Sequence, residues 1–401
     1  MPALKSYSHN MTRSSTVSEW YIPLSDLSYG ADEEEAVLRV LRSRWLSMGP
    51  EVQAFEQEFA SLLNVKHALA VANGTAAIHL AYAAAGLGPG DEIIQPAINF
   101  VAAANMTMAI GATPVFADIV GLGEPTIDPA EIERLITPRS KAVVVMHYGG
   151  YVCRMAGINA LCRERGLLVI EDACHAVGAS YEDQQGQPPH GRMAGALGDI
   201  GCFSFFSNKN MATGEGGMVV TDRDDIAKRL RLLRSHGMTT LTWDRHRGHA
   251  SSYDVVANGY NYRIDELRAA LGRCQLARLT GNNTRRGELV RAYRHALEGL
   301  PGWTVPFADY AGSSAYHLMI VVAPNHETRE LAARTLKEAG IQTSLHYPHI
   351  PNFSAFAGLQ AGALKISPEF AQRVLTLPLF PGLAESQVAE ICSLIRQVAV
   401  A

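Results

Sequence analysis

From about residue 66 the chain alternates short apolar runs with helical patterns. Ala68 to Ala72 predicts a strand, Thr75 to Ala85 a helix, Asp91 to Gln95 a strand, Phe100 to Ile110 a helix and Thr113 to Ala117 a strand. Lys141 to Met146, Leu167 to Ile170, Ile200 to Phe206 and Gly217 to Val220 continue the strands, with a helix at Ile158 to Arg165. Strands alternating with helices at this spacing predict an α/β fold with a mainly parallel sheet covered on both faces.

Further on, helical patterns at Glu266 to Leu279 and Arg285 to Leu297 are separated by the polar stretch Gly281-Asn282-Asn283, which predicts a break between two helices. Beyond Pro301-Gly302 come shorter units at Ala315 to Val322, Thr328 to Ala339 and Thr343 to His346, then a closing helix at Glu385 to Val398. The expected organisation is a polar N-terminal segment (1–24), a large α/β domain (25–275) and a smaller α+β domain (276–401).

Composition narrows the partners. Hydrophobic residues make up 47% and charged residues 18% of the 401, which excludes a disordered, collagenous or coiled-coil chain. Thirty-five Lys and Arg against 39 Asp and Glu leave −4, so a nucleic-acid partner is not expected. No apolar run reaches the roughly 18 to 20 residues of a membrane helix, and residues 1 to 20 lack the apolar segment of a signal peptide. The expectation is a cytoplasmic protein without a membrane partner. Six scattered cysteines include no Cys-x-x-Cys pair, so neither a disulfide framework nor a zinc site is expected, and they read as small buried hydrophobes.

The candidate chemistry centres on Gly201 to Gly217, where an aromatic strand delivers Lys209 into a glycine-rich turn. Backbone there can come close to a bound group. A desolvated lysine in that setting can form a Schiff base and then act as general base. An exposed loop lysine accounts for the same residues equally well. Leu167 to His175 adds an apolar strand ending in Glu171 and Asp172, and open α/β sheets place ligands at the carboxyl ends of their strands. A carboxylate there can pair with a pyridinium nitrogen, the arrangement that makes pyridoxal phosphate an electron sink. His175 is placed to meet the ring's 3-oxygen, or else is a satisfied core histidine. No third ligand stands at a metal-binding spacing from Asp172 and His175.

Asn73-Gly74-Thr75 follows a strand and opens an alanine-rich helix, a place where free amides favour phosphate, although helix capping alone explains it. Phe100 can stack on a flat ring or belong to the core. Arg245 and Arg247 can contact a diphosphate or form a solvated basic loop. His317, His346 and Tyr347 are candidates for the lining of a substrate pocket. Gly86 to Gly90 follows a helix and contains proline, which argues against a dinucleotide-binding turn.

In this order along the chain, the sequence resembles the sugar aminotransferases of the DegT/StrS type, which are fold-type-I enzymes dependent on pyridoxal phosphate. The resemblance runs from about Glu33 to the C-terminus. It rests on Trp45 to Pro50, Asn73 to Ala77, Gly111 to Phe116, Glu171 to His175, Phe203 to Lys209, Gly214 to Gly217, Gly259 to Arg263, His346 to Pro348 and Leu377 to Pro381. Asn73 and Cys174 depart from the Ser and Ala often found at these two places.

The resemblance implies that Lys209 carries the cofactor as a Schiff base, that Asp172 pairs with the pyridine nitrogen and that His175 sits by the ring oxygen. It implies Gly74, Thr75 and Ser204 at the phosphate and Phe100 stacked on the ring. Asn261 would reach the phosphate of a neighbouring subunit's cofactor, which implies a homodimer with shared sites. The implied reaction takes an amino group from an amino acid, with glutamate as donor, through pyridoxamine phosphate to a keto group of a nucleotide-linked deoxysugar. Relatives with His in place of the lysine are sugar dehydratases, and Asn208-Lys209-Asn210 therefore favours transamination. The alternatives are a keto-sugar dehydratase on the same cofactor and a non-catalytic regulatory or sugar-binding relative.

Overall fold

The computed structural model describes residues 20–182, 191–240, 252–359 and 363–400. Two amphipathic helices, α1 (Ala31–Ser43) and α2 (Pro50–Leu63), precede the first strand. A seven-stranded sheet follows, made of β1 (His67–Val71), β2 (Glu92–Pro96), β3 (Thr113–Ala117), β6 (Ser140–Met146), β7 (Leu168–Asp172), β8 (Ile200–Ser204) and β9 (Gly217–Thr221). Its order is β1-β9-β8-β7-β6-β2-β3. The pairs from β3 through β8 are parallel, and only β9 runs against its two neighbours. β4 (Ile119–Gly121) and β5 (Glu124–Ile127) form a separate antiparallel hairpin.

The near-continuous apolar character of these strands is explained by burial on both faces. Val143, Val145 and Val169 belong to the cluster on one side of the sheet with Phe55, Phe59 and Phe203. Val144, Ile170 and Cys202 face the other side, against the alanine-rich helix α3 (Gly74–Ala85). Small side chains along α3 let it lie close to the sheet, and nine of its twelve residues are buried.

A second, smaller sheet pairs β10 (Met319–Val322) with β11 (Val374–Leu377), packed with the helices His326–Glu338 and Glu385–Val400 around a separate core. One helix, Glu266–Ala296, serves both cores: Ala269 and Leu279 enter the first, and Leu289, Val290 and Tyr293 the second. It runs unbroken through Gly281, Asn282 and Asn283, against the expected break. The reason is tertiary. Asn283 is buried, donates from Nδ2 to Val177 C=O (3.0 Å) and accepts Asn210 Nδ2–H at Oδ1 (2.8 Å), which outweighs its weak helix propensity. The boundary expected near residue 275 falls within this helix.

The six cysteines are unpaired; Cys153, Cys162, Cys202 and Cys392 are buried, while Cys174 and Cys274 are only half-buried. Among the described residues, no helix is long and apolar enough to cross a membrane.

Candidate active site

The carboxyl ends of the parallel strands open into a cavity of about 390 Å³. Chain segments distant in sequence supply its wall: the start of α3, the loop after β2, the end of β7, the turn after β8 and the segment around His346-Tyr347.

At one end stands the N-terminus of α3. Asn73 is its N-cap, with Oδ1 accepting from Ala76 N–H at 2.8 Å. The first helical bond is Ala77 N–H to Asn73 C=O (3.1 Å), so the amides of Gly74 and Thr75 have no partner within the helix and point an anion-binding dipole end at the cavity. Gly74 is required by close approach: a Cβ there would lie 2.8 Å from Ser204 Cβ and 3.3 Å from Cys174 Sγ. Ser204 therefore closes the cradle from the end of β8. Capping and an anion site coexist in this turn.

On the floor, Asp172 ends β7 and is 4% exposed. Its Oδ2 accepts from Asn99 Nδ2 (3.2 Å) and its Oδ1 from Cys174 N–H (3.2 Å). These bonds aim the carboxylate and leave further acceptor capacity toward the cavity. Phe100, 54% exposed, presents an unpacked ring face on the wall. Met146, Cys174, Phe206, Asn208 and Glu215 complete much of the lining, and Asn208 Oδ1 is buried without a hydrogen-bond partner.

Lys209 enters from the turn after β8, whose backbone is tied by Lys209 N–H to Phe206 C=O (2.8 Å). Burial lowers the proton affinity of its amine, partly opposed by Cys174 and Asp172. Around it lie three imidazoles that burial holds neutral: His175 and His317 far below the ordinary histidine range, and His346 down to about 4. Lys209 deepens each of these shifts. Burial likewise pushes the Cys174 thiol well up, with Asp172 adding to it, so it is not a nucleophile here.

Gly74, Thr75, Phe100, Asp172, His175, Ser204, Lys209, His346 and Tyr347 are thus brought together on one cavity. His317 is not on its wall. It is packed behind His175, with ring centroids 4.2 Å apart, and its Nδ1 pairs with Asn210 Oδ1 (3.0 Å). Asn261 is exposed, bridged to Ser235, and does not line this chain's cavity. Arg245 and Arg247 lie outside the described residues. Nothing in their spacing marks Asn99 and Tyr148, yet Asn99 holds Asp172 and Tyr148 O–H donates to His346 C=O. A separate cavity of about 400 Å³, lined by His79, Arg229 and Tyr260, has neither lysine nor acid on its wall.

The fold, with a lysine and an acid facing each other across the ends of a mainly parallel sheet, is that of the fold-type-I pyridoxal-phosphate-dependent enzymes. The DegT/DnrJ/EryC1/StrS aminotransferase family matches residues 28–396, and the chain belongs to it. It is 40% identical over 388 residues to the Bacillus subtilis spore coat polysaccharide biosynthesis protein SpsC, covering 94% of this chain and 97% of that protein. It is similar to the structure of DesI determined in the presence of its TDP-sugar product, with 33% identity and a TM-score of 0.81, over 92% of this chain and 90% of that one. The PLP-form of Spr1654 from Streptococcus pneumoniae is similar at 26% identity and a TM-score of 0.86, over 94% and 98% of the two chains.

Proposed function

We propose that this chain is a pyridoxal-phosphate-dependent aminotransferase that places an amino group on a keto carbon of a nucleotide-linked deoxysugar, with glutamate as amino donor. The observation that carries this reading is Lys209 and Asp172 on one cavity with the open N-terminus of α3. The residues fit the cofactor: a dipole end for the phosphate, a carboxylate with spare acceptor capacity for the ring nitrogen, and an exposed aromatic face for the ring. When bound, pyridoxal phosphate supplies an aldehyde that stores the amino group and a ring that takes up electrons from the carbon losing its proton.

The chain's own residues do the rest. Gly74, Thr75 and Ser204, together on the cavity wall with Phe100, would hold the phosphate, and Phe100 would cover the ring. Asp172, held in place by Asn99 and the Cys174 amide, would hold the ring nitrogen and keep it protonated. Lys209 Nζ, its proton affinity lowered by burial, accepts a proton at the substrate carbon and returns it on the other side of the transfer. His346 and Tyr347 border the space left for the sugar.

The nucleotide-linked substrate is supported by the likeness to DesI and its TDP-sugar product. Asn261, exposed and away from this cavity, suits a contact with the cofactor phosphate of a second subunit, so the working unit is a homodimer. Residues 25–275 would form the cofactor-holding part, and 276–401 contribute His346 and Tyr347 to the cavity wall. Both ligands are multiply charged and do not cross a bilayer unaided, which suits a cytoplasmic enzyme.

The test is the absorption spectrum of purified protein with pyridoxal phosphate. A visible band that is lost on adding glutamate, followed by amine formation on a nucleotide-linked keto sugar, is the expected result. A visible band that no amino acid alters would refute transamination.

A further inference from the structure

Lys209 sits where the turn after β8 changes character: Phe206 and Ser207 before it are exposed, and Asn210 to Thr213 after it are buried. Local bonds close the turn, Lys209 N–H to Phe206 C=O (2.8 Å) and Thr213 N–H to Phe205 C=O (2.8 Å). Between them, the buried side chain of Asn210 reaches segments far along the chain. Its Nδ2 donates to Asn283 Oδ1 (2.8 Å) on the helix Glu266–Ala296 and to Ala315 C=O (2.6 Å) on the chain leading into β10. Asn283 Nδ2 continues the link to Val177 C=O (3.0 Å), just past His175. Gly178 leaves room for it: a Cβ there would lie 2.9 Å from Asn283 Nδ2.

Carbonyl oxygens only accept, which settles the orientation of both amides. With Asn210 Nδ2 committed to Ala315 C=O, its Oδ1 faces His317 and accepts Nδ1–H at 3.0 Å. Burial keeps His317 neutral, so its one ring proton is the one given to Asn210, and Nε2 is left buried without a partner. An apolar side chain would fill the space behind His175 without burying an unpaired nitrogen. What the imidazole adds is the Nδ1–H. Asn210 thus uses both amide protons and its oxygen to join the turn carrying Lys209, the segment following Asp172 and His175, and the entry to the small sheet.

We infer that Asn210 is a positioning residue for proton transfer by Lys209, holding the lysine's backbone in register with Asp172, and that His317 and Asn283 act through it. This rests on Lys209 as the proton carrier in the transamination proposed above. Lys209 Nζ has to meet the substrate carbon, and a displacement of about 1 Å costs on the order of a hundredfold in rate. Phosphate binding at Gly74, Thr75 and Ser204 does not pass through this link, so the rate and the binding separate.

The experiment is stopped-flow absorption of the cofactor-loaded protein mixed with glutamate, which gives a limiting rate and a half-saturating glutamate concentration. Asn210→Ala is expected to lower the limiting rate by about ten- to a hundredfold and to leave half-saturation within about twofold of wild type. His317→Leu should slow the limiting rate similarly. His317→Asn places an amide N–H where Nδ1–H was but lacks the ring against His175, and should recover most of the wild-type rate. His317→Asn as slow as His317→Leu would assign the histidine to packing against His175 and overturn the inference. A near-wild-type limiting rate in Asn210→Ala, or in His317→Leu where Asn210→Ala does not fold, would overturn it too. A wild-type protein whose visible band glutamate leaves unchanged would refute the transamination itself, and the inference with it.

Discussion

Glu171 and Asp172 are neighbours at the end of β7, and strand alternation sends them to opposite faces of the sheet. Glu171 is fully buried and saturated: it accepts from Gly195 N–H (2.7 Å), Leu197 N–H (2.7 Å), Gly198 N–H (2.6 Å) and His147 Nε2–H (2.8 Å). His147 Nδ1 in turn accepts from Cys153 N–H at 3.2 Å, which fixes the donor on Nε2. Asp172 has two partners and a cavity in front of it. One carboxylate spends its acceptors on the loop at Gly195 to Gly198, and the other keeps acceptor capacity for a ligand. Adjacent residues of like chemistry thus separate into a saturated and an unsaturated carboxylate by the number of protein donors that reach them.

The largest expected effect is on the saturated member. Glu171→Ala strands three amide donors and the His147 N–H in the core and should destabilise the protein by about 3 to 5 kcal/mol, whereas Asp172→Ala should cost far less. Urea unfolding of both variants checks this, and equal losses would break the comparison. Asp172→Asn should leave the melting temperature near wild type and slow the glutamate half-reaction about a hundredfold, read by stopped-flow absorption. A near-normal rate would remove Asp172 from its assigned role.

The buried histidines in and behind the site give a pH test. Their proton affinities are lower folded than unfolded, so the unfolded chain binds more protons and stability is lost as pH falls below 6.5. For His346, between 6.5 and about 4, the loss at pH 5 is about 2 kcal/mol. Denaturant unfolding at pH 5 and 7.5 should show it, reduced in His346→Asn. The smallest effect is expected at the start of α3: Gly74→Ala puts a methyl 2.8 Å from Ser204 Cβ and should cost about 1 kcal/mol, read as weaker cofactor binding by equilibrium dialysis.

Much of this arrangement was legible in the sequence. Short, near-continuous apolar runs mark the strands of the seven-stranded sheet, because both its faces are buried. The acid, the lysine and the glycine turn each sit where a strand ends, so local pattern placed them on the same edge. The hidden parts depend on contacts between distant residues. Tyr347 and His175 lie 172 positions apart, and no spacing rule joins them. The continuity of Glu266–Ala296 depends on Asn283 bonding to Asn210 and Val177, which a local reading of Gly281-Asn282-Asn283 does not contain. His317 reads as a pocket residue until packing places it behind His175.

The most direct measurement is reduction of the cofactor-loaded protein with borohydride, followed by mass spectrometry of its peptides. The account predicts a phosphopyridoxyl group on Lys209 alone, suppressed when excess glutamate is added before reduction. The group on a different lysine, or on none, would contradict it.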